Sequence, residues 1–341
     1  MIIRRRAYPR GGLVGNPSDG YFGRTIALSF TNFHAEVVLY ETPELEILPA
    51  SRDHSVFSSM AALHEDVRLF GYYGGVRLLK AAIKRFIDHA RERGVTLHDR
   101  NFTVRYTSNI PHLVGLAGSS AIITACMRCL MDYYGVRIAA PELANLVLSV
   151  ETAELGISAG LQDRVAQAYQ GVVYMDFDRE VMQARGYGRY EAIDPACLPP
   201  LYIAYRKDLS ECSEIVHSRL REQFNAGDPQ VLDAIAYWRD LAEQVRALLL
   251  AGRGRQIGPL LDANFDRRAA VMPISEGNRR MVEAARSVGA SAKFTGSGGA
   301  IIGTVEDEAM FAALRRALAP LRVEVVVPSI APPLPETLKE E

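Results

Sequence analysis

The sequence predicts an α+β protein of two domains, and three observations predict it. Apolar patterns of period 2 and period 3.6 are mixed in both halves of the chain, without the regular strand–helix alternation of a doubly wound sheet. A weakly periodic, proline-rich stretch, GYGRYEAIDPACLPP (186–200), reads as the connection between the halves. With 341 residues, 48% of them hydrophobic, the chain is long enough to bury more than one core. The expected division is residues 1–188, residues 200–331 and a polar, frayed tail over 332–341.

The elements follow in order. Residues 24–48 alternate apolar and polar (RTIALSF, AEVVLY, LEIL), as neighbouring strands do. From 74 to 94 the period changes: Val76, Leu79, Ile83, Phe86, Ile87 and Ala90 share a helical face, which Gly94 ends. FTVRYT (102–107) is a strand, and Ile122, Ile123, Cys126, Cys129, Leu130 and Tyr133 mark a second helix. A third begins at Pro141, whose missing N–H costs nothing in a first turn, and stops near Gly156. GVVYMDF (171–177) and LYIAY (201–205) are strands. A long helix spans 229–250 with Trp238 on its apolar stripe, and further helices cover 256–271 and 276–288. Strands AIIGTV (300–305) and VEVVV (323–327) flank a last helix.

Composition excludes several classes. A formal net charge of −1 lacks the basic excess of a dedicated nucleic-acid binder. No uncharged apolar run reaches the ~18–20 residues of a membrane helix, and MIIRRRAYPRGG has no apolar region behind its charges. The expectation is a soluble, cytoplasmic protein with no signal peptide, no membrane contact and no nucleic-acid partner. Four cysteines make no disulfide scaffold; Cys126 and Cys129 fall within one helix and read as apolar packing. The histidines show no H-x-x-x-H spacing, so no transition-metal site is expected. Of 39 basic residues 34 are Arg, which marks most arginines as compositional and draws attention to each lysine.

Four segments carry candidate chemistry. In NIPHLVGLAGSSAIITA (109–125) a strand precedes and a helix follows a run of small residues. Glycine lets backbone approach a ligand closely, and a helix N-terminus offers free N–H groups with a positive dipole behind them. The run is therefore a candidate phosphate cradle, although no G-x-x-x-x-G-K-[ST] occurs; a tight turn with a serine cap is the local alternative. SAKFTGSGGAIIG (291–303) leads into a strand rather than opening a helix, so it is not a dinucleotide fingerprint, and a hairpin turn is its local alternative. In VETAELGISAGLQDRVAQAYQG (150–171), Glu151 lies near a helix end and Asp163 follows across a small-residue turn. Phosphoryl transfer needs a carboxylate for a divalent metal and often a second one near the acceptor hydroxyl; Glu154 competes with Glu151 for the first role. RAYPRGGLVGNPSDGYFG (6–23) sets Arg10 before an Asn-Ser-Asp turn whose groups match sugar hydroxyls and equally serve turns for local reasons.

Together these segments resemble the GHMP kinase superfamily of galactokinase, homoserine kinase, mevalonate kinase and phosphomevalonate kinase. Its basic substrate motif, P-x-x-x-G-L-x-S-S-A phosphate loop and C-terminal glycine loop have counterparts here in order: YPRGGLVGNPSD, PHLVGLAGSSA and KFTGSGGA. Within the superfamily the chain looks most like the glucuronokinases, on GNPSDGYFGRTI (15–26), GYYGGVRLL (71–79), GLQDRVAQ (160–167) and AKFTGSGGA (292–300). The resemblance implies an N-terminal ribosomal-protein-like βαβ domain and a C-terminal ferredoxin-like domain with the site between them. It also implies ATP, Mg²⁺ and phosphorylation of the anomeric hydroxyl of D-glucuronate to α-D-glucuronate 1-phosphate. By position, Gly115, Leu116, Ala117, Gly118, Ser119, Ser120 and Ala121 would wrap the triphosphate, with Ser120 and Glu151 on the metal. Asp163 would orient or deprotonate the sugar hydroxyl and Arg10 would stabilise the transferring charge. Asn16, Ser18 and Asp19, with Gly296, Ser297 and Gly298, would contact the sugar. Two departures stand out: Ala117 is inserted in the phosphate loop, and Asn16-Pro17 replaces the Glu-His of galactokinase-like enzymes.

A sugar acid needs a cation, for which Arg10, Arg24, Arg164, Arg267 and Arg268 are candidates. Lys293 either touches phosphate or pins its loop. His112 is a ligand contact or a turn residue, and Tyr72 and Tyr73 stack on a ligand or pack in the core. Two other readings remain. One is a kinase for galacturonate, a heptose phosphate, fucose or arabinose. The other is a non-catalytic sugar and nucleotide sensor, against which the intact Ser120, Glu151 and Asp163 argue. Oligomeric state is not legible.

Overall fold

The computed structural model describes residues 1–50, 53, 58–61, 63–64, 74–206 and 220–335. Its first sheet holds β1 (Ile2–Ala7), β4 (Ala35–Glu41), β6 (Phe102–Ser108) and β5 (Glu46–Leu48) in the order β1-β4-β6-β5. Only the β5–β6 pairing is parallel. The second sheet, β2-β3-β7-β8, is antiparallel throughout and comprises β2 (Arg10–Val14), β3 (Arg24–Ser29), β7 (Val172–Asp176) and β8 (Arg189–Ile193). The third, β10-β11-β9-β12, is also antiparallel and comprises β9 (Leu201–Tyr205), β10 (Lys293–Phe294), β11 (Ala300–Thr304) and β12 (Glu324–Val326).

Helices form where the period-3.6 pattern predicts: α1 (Gly75–Glu92), α2 (Gly118–Tyr134) and α3 (Ala140–Ser149). The last of these widens into a π-helical turn, Val150–Glu154, of the kind found at functional sites. Then come α4 (Leu161–Tyr169), α5 (Arg179–Arg185), α6 (Pro229–Leu250), α7 (Gly258–Val271), α8 (Glu276–Arg286) and α9 (Glu308–Leu318). Helix α2 covers β1 and β4, whereas α6 lies on β3, so the second half of the chain seals the second sheet. Asp228 caps α6 by accepting from the N–H groups of Gln230 and Val231. Trp238 is fully buried on that helix and its indole N–H donates to the Asn264 carbonyl at 3.2 Å.

The third sheet stands between two cores. Leu201, Ile203 and Tyr205 of β9 join the larger one, while Tyr202 and Ala204 face a second core with Phe265, Met281, Ile301 and Leu314. That two-sided burial is why LYIAY is apolar throughout instead of alternating. Cys126 and Cys129 are fully buried free thiols, as the packing reading expects; burial pushes the Cys129 thiol up to about 12.

Three differences from the sequence reading have physical causes. Residues 189–193, read as connection, form β8; it is an edge strand with only Ile193 buried, so it leaves little apolar signal. Strand β1 is likewise an exposed edge, and its arginines Arg4 and Arg6 pair with Glu36 across the ladder. The tail read as frayed begins anchored: just after the buried Ala331, the Leu334 N–H donates to the Tyr169 carbonyl. None of the described helices is long and apolar enough to cross a membrane.

Candidate active site

The four segments converge on one cleft. Arg10 opens β2, an edge strand of the second sheet, and its buried guanidinium gathers the others. Nε donates to Asp163 Oδ1 at 2.8 Å and Nη2 donates to the same oxygen. Nη1 donates to the carbonyls of Gly115 at 3.1 Å and Thr295 at 2.6 Å, one in each glycine loop.

The two loops touch through backbone, which accounts for their glycines. A Cβ on Gly296 would lie 2.6 Å from the Gly115 carbonyl oxygen, and one on Gly115 would lie 2.9 Å from that of Gly298. Gly115 also has φ +69, where a Cβ is strained. Ala117, the inserted residue, takes φ 61 as the residue before α2. Its carbonyl accepts from Gln167 Nε2 at 2.9 Å, which braces this left-handed turn from α4.

Behind the loops lies a cluster of charge. Glu151, 1% exposed, accepts from Arg164 Nε on Oε2 at 2.8 Å and from Ser119 Oγ on Oε1 at 3.0 Å. Arg164 also donates to the Gly160 carbonyl and lies 3.3 Å from Asp163 Oδ2. Asp19 accepts from the Gln162 N–H at 3.4 Å, and burial followed by the charge of Asp163 pushes its carboxyl up to about 6. Arg10 and Arg164 thus pair with the carboxylates of Asp163 and Glu151, and Asp19 stands beside them. Glu154 points elsewhere, to Lys84 at 2.8 Å, leaving Glu151 as the carboxylate beside the phosphate loop.

The cleft is lined by Arg10, Asn16, Asp19, Gly115, Leu116, Ala117, Gly118, Ser119, Glu151, Asp163, Gly296 and Ser297, all expected from sequence, and by His112. Four expected residues are not on its wall. Ser120 is fully buried and its hydroxyl donates to the Ala117 carbonyl at 3.2 Å, so the hydroxyl that meets Glu151 belongs to Ser119. One residue of helix turns the side chain by about 100°, and Gly118 as first residue of α2 puts Ser119 on the open side. Ala121 is in the core. Ser18 is fully buried and donates to the Arg24 carbonyl at 3.0 Å, closing its own turn. Gly298 backs Gly115 and forms no part of the wall. Asn16 reaches the cleft, but its side-chain oxygen accepts from Lys293.

Most candidate cations are committed. Lys293 is buried and donates to the carbonyls of Gly12 and Phe294, each at 2.7 Å, as well as to Asn16; it pins the loop. Burial, then Arg268 and Arg10, hold its ammonium well below its ordinary range. Arg268 donates to the carbonyls of Gly296 and Ser297, Arg267 pairs with Asp233, and Arg24 pairs with Asp176. Tyr72 and Tyr73 lie outside the described residues. Residues that sequence reading missed are Thr295, which bonds Arg10, and Asn264, which accepts from the Gly15 N–H and donates to the Asn16 carbonyl. Thr295 sits inside the third motif, but its bond to Arg10, like those of Asn264, is made only by folding.

A helix N-terminus beside glycine loops, a hydroxyl–carboxylate pair and a cation–carboxylate pair make an arrangement suited to phosphoryl transfer. Comparison with known proteins agrees. Residues 77–171 match the family model for the GHMP kinases N terminal domain and residues 245–321 that for the GHMP kinases C terminal domain. Glucuronokinase 1 and Probable glucuronokinase 2 of Arabidopsis thaliana are each 44% identical to this chain, over 88% of it and 84% of their own length. The fold matches that of Lactococcus lactis galactokinase complexed with galactose, with TM-score 0.75 at 15% identity, covering 96% of this chain and 93% of that one. Helices packed on three sheets, three motifs meeting on Arg10 and matches to both family domains lead to one conclusion: the chain belongs to the GHMP kinases, phosphotransferases with an alcohol group as acceptor.

Proposed function

We propose that this kinase transfers the γ-phosphoryl group of ATP to the anomeric hydroxyl of D-glucuronate, giving glucuronate 1-phosphate. The observation that carries the reading is the Arg10–Asp163 pair, tied to both glycine loops where donor and acceptor would meet. The choice of glucuronate rests on the likeness to the Arabidopsis glucuronokinases.

In this reading the backbone N–H groups of residues 115–119 and the start of α2 bind the triphosphate. Ser119 and Glu151 offer two hard oxygen donors side by side, which fits Mg²⁺, an ion that needs few protein ligands when phosphate supplies the rest. When bound there, the ion neutralises charge on the phosphate oxygens. Arg164 fixes the free rotation of Glu151 by holding its other oxygen. Asp163, its side chain 20% exposed on the cleft wall, accepts the hydrogen bond of the attacking hydroxyl and aims that oxygen. Arg10, held on one side by Asp163, places positive charge beside the oxygen as it becomes nucleophilic.

The test is ADP release by the purified chain with ATP, Mg²⁺ and a panel of glucuronate, galacturonate, galactose, fucose, arabinose and a heptose phosphate, with ³¹P NMR of the product. Glucuronate should be preferred and yield an anomeric phosphate. Preference for another acceptor, or a phosphate on another carbon, would overturn the reading.

A further inference from the structure

A smaller recess adjoins the cleft, and the two share the wall of Pro17, Asp19, Ser158, Ala159 and Gly160. Past that wall, among the described residues, the recess is lined by Gly20, Tyr21 and Arg221. Residues 220–225 are helical, with Leu220 buried and Arg221 exposed on the recess side. The Arg221 guanidinium lies 4.6 Å over the Tyr21 ring, and that ring packs in turn on Phe224 at 5.0 Å. Gly20 lets it sit close: a Cβ there would be 3.1 Å from Nη2. Stacking on a ring face fixes the plane of a guanidinium and leaves its N–H edge for a planar anion.

We infer that Arg221 binds the carboxylate of the acceptor sugar acid and sets the preference for an acidic over a neutral sugar. The inference rests on the proposed uronate activity and says which residue reads the acid. Elimination supports it. Arg24 and Arg267 are paired away from the cleft, Arg268 and Lys293 are spent on loop carbonyls, and Arg10 and Arg164 hold the carboxylates of the reacting end. Among the described residues Arg221 meets no carboxylate at ion-pair distance. Position supports it too. The recess lies across the shared wall from the Arg10–Asp163 pair, so a sugar with its anomeric hydroxyl at that pair points its far substituent toward Arg221. Asp19 stands on the same wall, and an incoming carboxylate beside it needs a compensating cation.

The test is steady-state kinetics of the wild-type chain, Arg221→Ala and Arg221→Lys with glucuronate and with glucuronamide, its neutral isostere. For Arg221→Ala the KM for glucuronate should rise about 10- to 100-fold, the loss expected for a charge-assisted contact, with kcat and the KM for ATP within about twofold. Its preference for glucuronate over glucuronamide should collapse, and Arg221→Lys should fall between, since lysine keeps the charge but not the fork. Unchanged melting temperatures would show that the variants are folded. An unaltered glucuronate KM, or equal losses with both acceptors, would overturn the assignment while leaving the uronate activity intact. A wild-type chain inactive on glucuronate would instead overturn the proposed activity, and this assignment with it, before any substitution is made.

Discussion

Arg10 and Asp163, 153 residues apart in sequence, meet through two N–H donors on one carboxylate oxygen, while the remaining nitrogen of Arg10 bonds a carbonyl in each glycine loop. One side chain therefore sets the distance between the acceptor carboxylate and the phosphate cradle. In the proposed reaction this pre-set geometry supplies the positioning that phosphoryl transfer depends on.

The two adjacent serines should separate cleanly. Ser119→Ala removes the hydroxyl beside Glu151, and the Mg²⁺ concentration for half-maximal activity should rise severalfold, about 10-fold or more. Ser120→Ala should retain activity and lose about 1 kcal/mol of stability, the worth of its buried bond to Ala117. Mg²⁺ titrations of both variants check this, and equal effects would contradict it.

Arg164→Ala leaves Glu151 buried without its cation, which should destabilise the fold by about 3–5 kcal/mol. Replacing both partners together, Arg164→Met with Glu151→Leu, should recover much of that loss although activity stays absent. Urea denaturation of the single and double variants is the measurement.

Asp19 gives a pH signature. Its folded-state value of about 6 exceeds the ordinary 3.8, so between those values the folded protein holds more protons than the unfolded chain. Its contribution is then favourable at low pH and is lost as pH rises through that window. Asp19→Asn should abolish this component, so stability of the variant relative to wild type should increase from pH 4 to pH 6, as followed by denaturation at fixed pH.

Gly115→Ala puts a Cβ at φ +69 against the Gly298 carbonyl. The strain should cost about 1–2 kcal/mol and part the two loops, lowering kcat more than the affinity for acceptor. Melting curves and kinetics together check it.

The sequence made the motifs legible because each is contiguous, and helices such as α6 legible because one face is apolar. It hid β8 and β1, whose edge positions bury too little to show a period. It hid α4 as a helix, since Gln162, Arg164 and Gln167 are buried there and blur the polar face. Choosing Ser119 over Ser120 required the phase of α2, which Ala117 and Gly118 set only once folded. The arginines were the hardest to sort. Their partners, Asp163 for Arg10 and Glu151 for Arg164 against loop carbonyls for Arg268, are products of tertiary packing alone.

The most direct test of the central claim is the kinetics of Asp163→Asn alongside its equilibrium affinity for ATP. The account predicts kcat lower by about 100-fold or more, with ATP affinity within about threefold of wild type, because Asp163 acts on the acceptor hydroxyl and not on the nucleotide. An unchanged kcat, or a loss explained wholly by weaker ATP binding, would contradict it.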